Sequence, residues 1–256
     1  MKQLAAFTKK EFLEQLRTGR FFILMILFFL FGIMNPAVAK LMPWMMELMS
    51  EQFAQSGMLV SSVEVNALTS WIQFFKNMPI ALIVFLVMFS SVLTAEYQKG
   101  TLINVITKGL KRWKILASKL AVMAAVWTMG CLLSYLITFG YNSYFWDNSI
   151  VNNICFSVFG FYLTGVWLIT VVLLASALFR SASAVTLSAG AAFFAAYIVS
   201  LIPCIKKYSP VYLLESTDLL MGARNVNDYF PAVIVMLVII VINIFIAVLC
   251  FNKKYI

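Results

Sequence analysis

The sequence predicts an all-α membrane protein with six transmembrane helices, and three observations lead to this fold class. Apolar residues make up 63% of the 256 residues, and charged residues make up 11%, well below the roughly 25% of soluble domains. The charged residues cluster between long uncharged runs. Those runs are continuously apolar and do not alternate, so they indicate helices and not the strands of a membrane barrel.

Each uncharged run has at least 19 residues, and about 20 apolar residues cross a bilayer as a helix. The predicted spans are residues 21–40, 77–95, 115–142, 153–179, 181–203 and 231–251. A cleavable signal peptide ending at Ala37-Val38-Ala39 is the alternative for the first run. The acidic residues Glu11 and Glu14 in its flank depart from the signal pattern, so we expect an uncleaved helix.

The basic residues predict the orientation of these spans. Fourteen of the 19 lysines and arginines precede the first span, follow the second or fourth span, or follow the sixth. Seven of the ten acidic residues fall on the opposite side: Glu47, Glu51, Glu64, Asp147, Glu215, Asp218 and Asp228. Positively charged loops stay in the cytoplasm, so we expect both termini to be cytoplasmic.

The first 20 residues predict an amphipathic helix at the inner membrane surface. Phe12 and Leu16 lie roughly on one face with Ala5, and Lys10 and Glu14 are spaced for an ion pair across one helical turn. The basic side chains, Arg17 among them, would face anionic headgroups. A simple basic flank that only sets the topology explains the same residues equally well.

Two external segments carry further helical patterns. In the loop at 41–76, apolar residues recur at Leu41, Met45, Leu48, Met49 and Phe53, which predicts either a helix on the outer leaflet or a cap packed on the bundle. Pro36 should kink or end the first span. In the segment 204–230, Val211 to Met221 predicts a short helix dipping into the outer leaflet, and Gly222 should stop it.

Small residues recur every fourth position in the fifth span, at Ala184, Ser188, Ala192 and Ala196. Small residues allow helices to approach closely in lipid. We expect packing within the chain in preference to a dimer interface, which would use the same pattern.

The loop at 96–114 predicts a short cytoplasmic helix. Gly100 weakens the end of the second span, Thr101 is a competent N-cap, and Gly109 fits the position that ends a helix. The helix between them presents apolar and basic side chains, namely Leu102, Ile103, Ile106, Lys99 and Lys108. Apolar surface on so short an element indicates a protein partner.

This loop resembles that of the ABC type-2 exporter permeases. The resemblance rests on Glu96, Gly100, Thr101, Leu102, Arg112, Lys119 and Leu120, and extends to the six spans and both flanking segments. It implies that 1–20 is a connecting helix and that 96–114 couples to a separate cytosolic ATPase, which holds ATP and Mg²⁺. It further implies a second permease chain, as a homodimer or a paired permease, and a hinge at Glu96 that bonds to the connecting helix.

The residues themselves exclude several other classes. The chain has no GxxxxGK[ST] phosphate loop and no histidine, and its four cysteines have no CxxC spacing, so we expect neither an ATPase, nor another enzyme, nor a metal site. A net charge of +9 that lies in span flanks does not indicate nucleic-acid binding. A non-transporting immunity, sensor or channel subunit remains the alternative to an exporter subunit.

The transported substrate is predicted only as a class. An uncharged path beside aromatic residues would suit an amphipathic peptide, a lipid or a hydrophobic drug. The candidate path residues are Trp127, Phe156, Phe159 and Trp167. Ordinary packing in the bundle or against lipid explains each of these aromatics as well.

Overall fold

A computed structural model describes residues 2–54, 65–107 and 109–254. These residues form ten α-helices: α1 (Lys2–Arg17), α2 (Arg20–Ala54), α3 (Ala67–Phe89), α4 (Ser91–Gln98), α5 (Thr101–Thr107), α6 (Arg112–Phe145), α7 (Ile154–Leu178), α8 (Ala182–Ser200), α9 (Thr217–Leu220) and α10 (Phe230–Lys253). No strand occurs in the described ranges. The predicted all-α fold is confirmed.

Six helical segments are long and apolar enough to cross a membrane, as predicted. They are Arg20–Leu48, Ala67–Gln98, Arg112–Phe145, Ile154–Leu178, Ala182–Ser200 and Val226–Lys253. The second span combines α3 and α4, which meet at Ser90. We call the end of the bundle that carries α1, α5 and the end of α10 the terminal face, and the other end the opposite face.

The first span differs from the prediction at its far end. Helix α2 continues through Pro36 and Pro43 to Ala54, so residues 41–54 belong to the same helix and not to a loop after a span at 21–40. Proline inside a membrane helix is tolerated because neighbouring helices and local adjustments satisfy the freed backbone groups. Leu41, Met45 and Leu48 are each at least half exposed, which does not fit a cap packed on the bundle.

The second span also begins earlier than predicted, at Ala67 instead of residue 77. The side chain of Asn66 accepts a hydrogen bond from the amide of Thr69 at 3.1 Å and caps the helix. The extra turns are buried through Trp71 and Phe74, although Lys76 interrupts the apolar run. Our bounds for the last four spans differ from the observed helices by three residues or fewer.

Aromatic residues fill the centre of the bundle, where two glycines permit close approach. A Cβ atom at Gly165 of α7 would lie 2.1 Å from the Trp127 ring of α6, and one at Gly130 would lie 2.4 Å from the Phe28 ring. Trp127 is fully buried, and its centroid lies 5.2 Å from that of Phe85. Close helix packing at small residues therefore holds α2, α3, α6 and α7 together.

Helix α8 lies at the edge of the bundle. It packs on its neighbours through Val185 and Ala189, which are fully buried. Ala184, Ser188, Ala192 and Ala196 are half-buried, and the last two contact the core. The small-residue face thus serves packing within the chain, as we expected.

The segment before α10 contains two short turns in place of the single helix predicted for Val211 to Met221. A 3-10 turn (Pro210–Leu214) ends at Glu215, whose ψ of 67° is not helical, and α9 then begins at Thr217. Gly222, with φ of +74°, follows α9 and ends it as predicted. Tyr212 and Tyr229 stack at 4.7 Å and fix the fold of this segment.

Candidate coupling site

Helix α1 lies against the terminal face through a row of side chains one helical turn apart. Phe7, Glu11 and Gln15 are buried, whereas Phe12 and Leu16 of the predicted apolar face are half-buried. The buried row is a separate face of the helix, which the apolar spacing did not predict. Phe12 instead makes an edge contact with Phe21 at 5.9 Å. Arg17, at the end of the helix, is exposed as expected.

Lys119 is the centre of a buried ion-pair arrangement. Its ammonium nitrogen lies 2.8 Å from Oε2 of Glu11, and both side chains are 2% exposed. It also donates to the carbonyl oxygen of Val92 at 3.0 Å. Oε2 of Glu96 lies 3.1 Å away, as an ion pair without hydrogen-bond alignment. One lysine of α6 thus holds both α1 and α4.

Lys10 completes the arrangement from the solvent side. Its ammonium lies 2.9 Å from Glu11, 3.0 Å from Glu14 and 3.1 Å from Glu96. Burial opposes the charge of Lys10, but its hydrogen bonds with Glu11 and Glu14 prevail and raise its pKa. Burial opposes the charge of Glu14 as well, but Lys10 lowers the Glu14 pKa. We call Lys10, Glu11, Glu14, Glu96 and Lys119 the charge cluster.

The three carboxylates of the charge cluster have oxygen atoms within 4.8 Å of one another. Carboxylate oxygens at that separation resemble a cation site. Glu11, Glu14 and Glu96 each already contact a lysine ammonium group, however. The cluster is therefore an ion-pair junction between helices, and the cations it holds are side chains of this chain.

Helix α5 follows the charge cluster directly. Gly100, with φ of +66°, separates it from α4. The structure corrects our surface assignment of Leu102, which is 1% exposed and belongs, with Phe7 and Leu116, to the buried apolar cluster of the terminal face. Ile103 is 48% exposed. Among the other predicted contact residues, Thr101 is exposed, Ile106 is half-buried and Lys108 lies outside the described residues.

Arg112 and Lys254 cap the ends of two other spans. Arg112 donates to the carbonyls of Phe251, Asn252 and Lys254 at 3.1, 3.1 and 2.6 Å, at the end of α10. Lys254 donates to the carbonyls of Ala177 and Phe179 at 2.9 Å each, at the end of α7. Basic groups at helix C-termini satisfy the free carbonyls. Arg112, which we predicted to contact an ATPase, thus points into this chain.

The structure buries two of the four aromatic residues that we predicted to line a substrate path and leaves the other two more accessible. Trp127 and Trp167 are buried, 0% and 4% exposed, and Trp127 donates to the carbonyl of Tyr162 at 3.1 Å. These two residues pack in the core of the bundle. Phe159 is 44% exposed, and Phe156 is half-buried against Tyr229.

The most tightly held members of the site, Glu11 and Lys119, were not among our predicted site residues. We named Lys119 only as one of the residues that carry the family resemblance, and Glu11 only as evidence against a signal peptide. The sequence signal that could have identified them was an acidic residue and a basic residue near the ends of long apolar runs. Ionisable groups at such margins pair with one another when buried.

The fold and the site define a multi-pass membrane protein whose terminal face is held by buried ion pairs and helix caps. The family model of the ABC-2 family transporter proteins matches residues 5–254, essentially the whole chain. The chain therefore belongs to the ABC-2 transporter family, and it is a membrane transport subunit. A comparison with curated proteins found no match.

Proposed function

We propose that this chain is the permease subunit of an ATP-driven exporter and that α5 receives the motion of a separate ATPase. The observation that carries this proposal is the position of the charge cluster. It joins α1, α4 and α6 within a few residues of the exposed Ile103. A force applied to α5 would reach three helices through buried ion pairs, which resist separation.

The docking surface in this proposal is the outward side of α5. Ile103 provides the apolar contact, with the exposed Thr101 beside it. ATP and Mg²⁺ would be bound by the partner ATPase. Leu102 and Arg112 would act from within, because they fix α5 and α6 to the rest of the terminal face.

We further propose that the terminal face is cytoplasmic and that the chain pairs with a second permease chain, as a homodimer or with a related permease, in a bacterial plasma membrane. The distribution of lysine and arginine supports the orientation. The size of a six-span subunit in this family supports the pairing.

The proposed substrate is hydrophobic or amphipathic. An open apolar cavity of about 210 Å³ lies between α3, α7 and α8, lined by Leu82, Leu86, Leu168 and Phe193 among others. Gly190 also lines it, and a side chain there would meet no atom within 4 Å. A Gly190→Phe substitution should therefore reduce export of hydrophobic fluorescent dyes from cells, whereas Gly140→Phe, at another open glycine, should not.

The test of the ATPase partnership is purification of the chain from its native membranes in a mild detergent. We expect a cytosolic ATPase to co-purify, with hydrolysis activity in the eluate. Ile103→Asp should remove the ATPase. The control, Asn252→Asp, adds the same charge to an exposed position of the terminal face outside α5 and should retain it.

Loss of the ATPase from both variants would point to a general charge effect and contradict docking at α5. Recovery of the chain without any ATPase, under conditions that preserve other membrane complexes, would contradict the exporter proposal. That result would favour the alternative of a non-transporting immunity, sensor or channel subunit.

A further inference from the structure

A cavity of about 340 Å³ opens beside the charge cluster, between the end of α1, the start of α2, α4 and the start of α5. This volume lies at the lower end of the roughly 300–1,000 Å³ of ligand pockets. Charged and polar side chains line much of it, both from the charge cluster (Lys10, Glu11, Glu14 and Glu96) and beside it (Gln15, Thr18, Arg20, Ser91, Lys99 and Thr101). A mixed polar lining of this kind does not suit a hydrophobic ligand.

The cavity lies at the boundary between the apolar and polar parts of the bundle. Arg20 is the first residue of one span, and Gln98, the neighbour of Lys99, is the last residue of another. The ends of membrane spans lie at the level of lipid headgroups. The cavity is therefore at the depth of a phospholipid phosphate.

Two cations of the cavity, Arg20 and Lys99, form none of the ion pairs found among residues 2–54, 65–107 and 109–254, although the charge of Arg20 contributes to lowering the pKa of Glu14. Arg20 donates to the hydroxyl of Ser91 at 2.9 Å, and Lys99 is exposed. By contrast, Lys10 and Lys119 are fully engaged by carboxylates. An arginine and a lysine on one cavity at headgroup depth form a site for a phosphate group.

Gln15 gives a second and independent indication of a ligand. The residue is 3% exposed, and its Oε1 atom has no hydrogen-bond partner within the described part of the chain. A buried polar atom without a partner costs about 1–3 kcal/mol. A ligand that carries a hydrogen-bond donor would satisfy this oxygen, and the carboxylate of Glu14 on the same cavity also favours a donor.

We propose that this cavity binds a phospholipid headgroup in which a phosphate is joined to a hydrogen-bond donor, either an ammonium or a hydroxyl group. Arg20 and Lys99 bind the phosphate, and Gln15 accepts a hydrogen bond from the donor. Phosphatidylethanolamine and phosphatidylglycerol have this chemistry, whereas phosphatidylcholine has a phosphate but no donor. A bound lipid would fill the space between α1, α4 and α5 without replacing any ion pair of the charge cluster.

The test is lipid binding to the purified full-length chain, together with whatever partner co-purifies, so its outcome does not depend on transport. Short-chain phosphatidylethanolamine, phosphatidylglycerol and phosphatidylcholine are titrated in detergent, and inorganic phosphate is titrated separately. Binding is read by native mass spectrometry and by the shift of the thermal unfolding midpoint. We expect either of the first two lipids to bind at least about tenfold more tightly than phosphatidylcholine, an affinity ratio that corresponds to one good hydrogen bond.

The variant pair Arg20→Ala/Lys99→Ala should reduce this binding at least about tenfold, as expected for loss of charged hydrogen bonds. Its matched control is Lys2→Ala/Lys253→Ala, which removes two exposed cations that do not line the cavity. If the first pair fails to fold, Gln15→Met provides a separate test. This variant should bind phosphatidylethanolamine and phosphatidylglycerol no more tightly than phosphatidylcholine, while Arg20 and Lys99 still bind the phosphate of all three lipids.

Three results would overturn the proposal. Equal loss of lipid binding in the variant pair and in its control would show non-specific attraction between lipids and basic residues. If phosphatidylcholine bound as tightly as the other two lipids, Gln15 would have no role in recognising the headgroup. Stabilisation by inorganic phosphate alone, to the same extent as by lipid, would identify a site for a soluble anion.

Discussion

The ammonium group of Lys119 lies 2.8 Å from the carboxylate of Glu11, and neither side chain is more than 2% exposed. This pair joins the surface helix α1 to a transmembrane helix. Because a buried charge is costly without its partner, α1 cannot leave the bundle without exposing or stranding a charge. The pair therefore determines how firmly α1 follows any movement of α6.

We expect Lys119→Met to destabilise the fold by about 3–5 kcal/mol, since it leaves Glu11 and Glu96 buried without their central cation. Lys10→Met is the control, because Lys10 is 49% exposed, and it should cost about 1 kcal/mol or less. Denaturant titration in detergent gives both values. Combining Lys119→Met with Glu11→Gln should recover part of the loss, and strict additivity of the two changes would contradict the pairing.

Leu102 and Ile103 are neighbours in α5, but we expect their substitutions to affect different properties: the stability of the fold for Leu102 and the retention of the ATPase for Ile103. Leu102→Ala should cost about 2–5 kcal/mol, as for other buried leucines. Ile103→Ala should change stability by no more than about 0.5 kcal/mol, as for exposed positions, while still weakening retention of the ATPase. Denaturant titration and co-purification separate the two effects, and a stable Leu102→Ala variant would contradict the burial described here.

Gly165 allows α7 to approach the Trp127 ring of α6. We expect Gly165→Ala to destabilise the chain by about 1–3 kcal/mol, because the added methyl group has no room. Gly140→Ala is the matched control in open space, and it should be neutral or stabilising by up to about 1 kcal/mol from helix propensity. Thermal unfolding of both variants provides the measurement, and equal midpoints would contradict the tight packing.

Lys254 predicts a pH dependence at the terminal face. Burial, assisted by the charge of Arg180, lowers the pKa of its ammonium group from 10.5 to about 8. Between these values the unfolded chain binds more protons than the folded chain, so rising pH favours the folded state. We expect the unfolding midpoint of the natural chain to rise relative to that of Lys254→Met between about pH 8 and pH 10. A constant difference over this range would show that the pKa of Lys254 is not lowered.

The spans were predictable because long apolar runs report the thickness of the bilayer directly. Where polar residues flank a run closely, as at Arg112 and Arg180, the observed helix ends lie near the predicted ones. The end of α2 was not predictable in the same way. Pro36 and Lys40 resemble a stop, but the helix continues through Pro36 and Pro43 to Ala54.

The site was harder to predict than the fold because hydrophobic periodicity does not register a buried ion pair. Glu11 and Gln15 count as polar in such a pattern, although both are buried in the structure. Leu102 and Ile103 are both apolar, and only the fold shows that Leu102 belongs to the buried cluster of the terminal face while Ile103 is exposed. The same limit applies to Trp127, whose role in packing depends on the glycine opposite it.

Helix α2 has 35 residues and therefore extends about 52 Å, whereas the apolar layer of a membrane is about 30 Å thick. Roughly 20 Å of the helix therefore lies outside the apolar layer. A tilt of about 10° about Arg20 would displace its far end by about 9 Å. A small rotation beside the charge cluster would thus become a large sweep on the other side of the membrane.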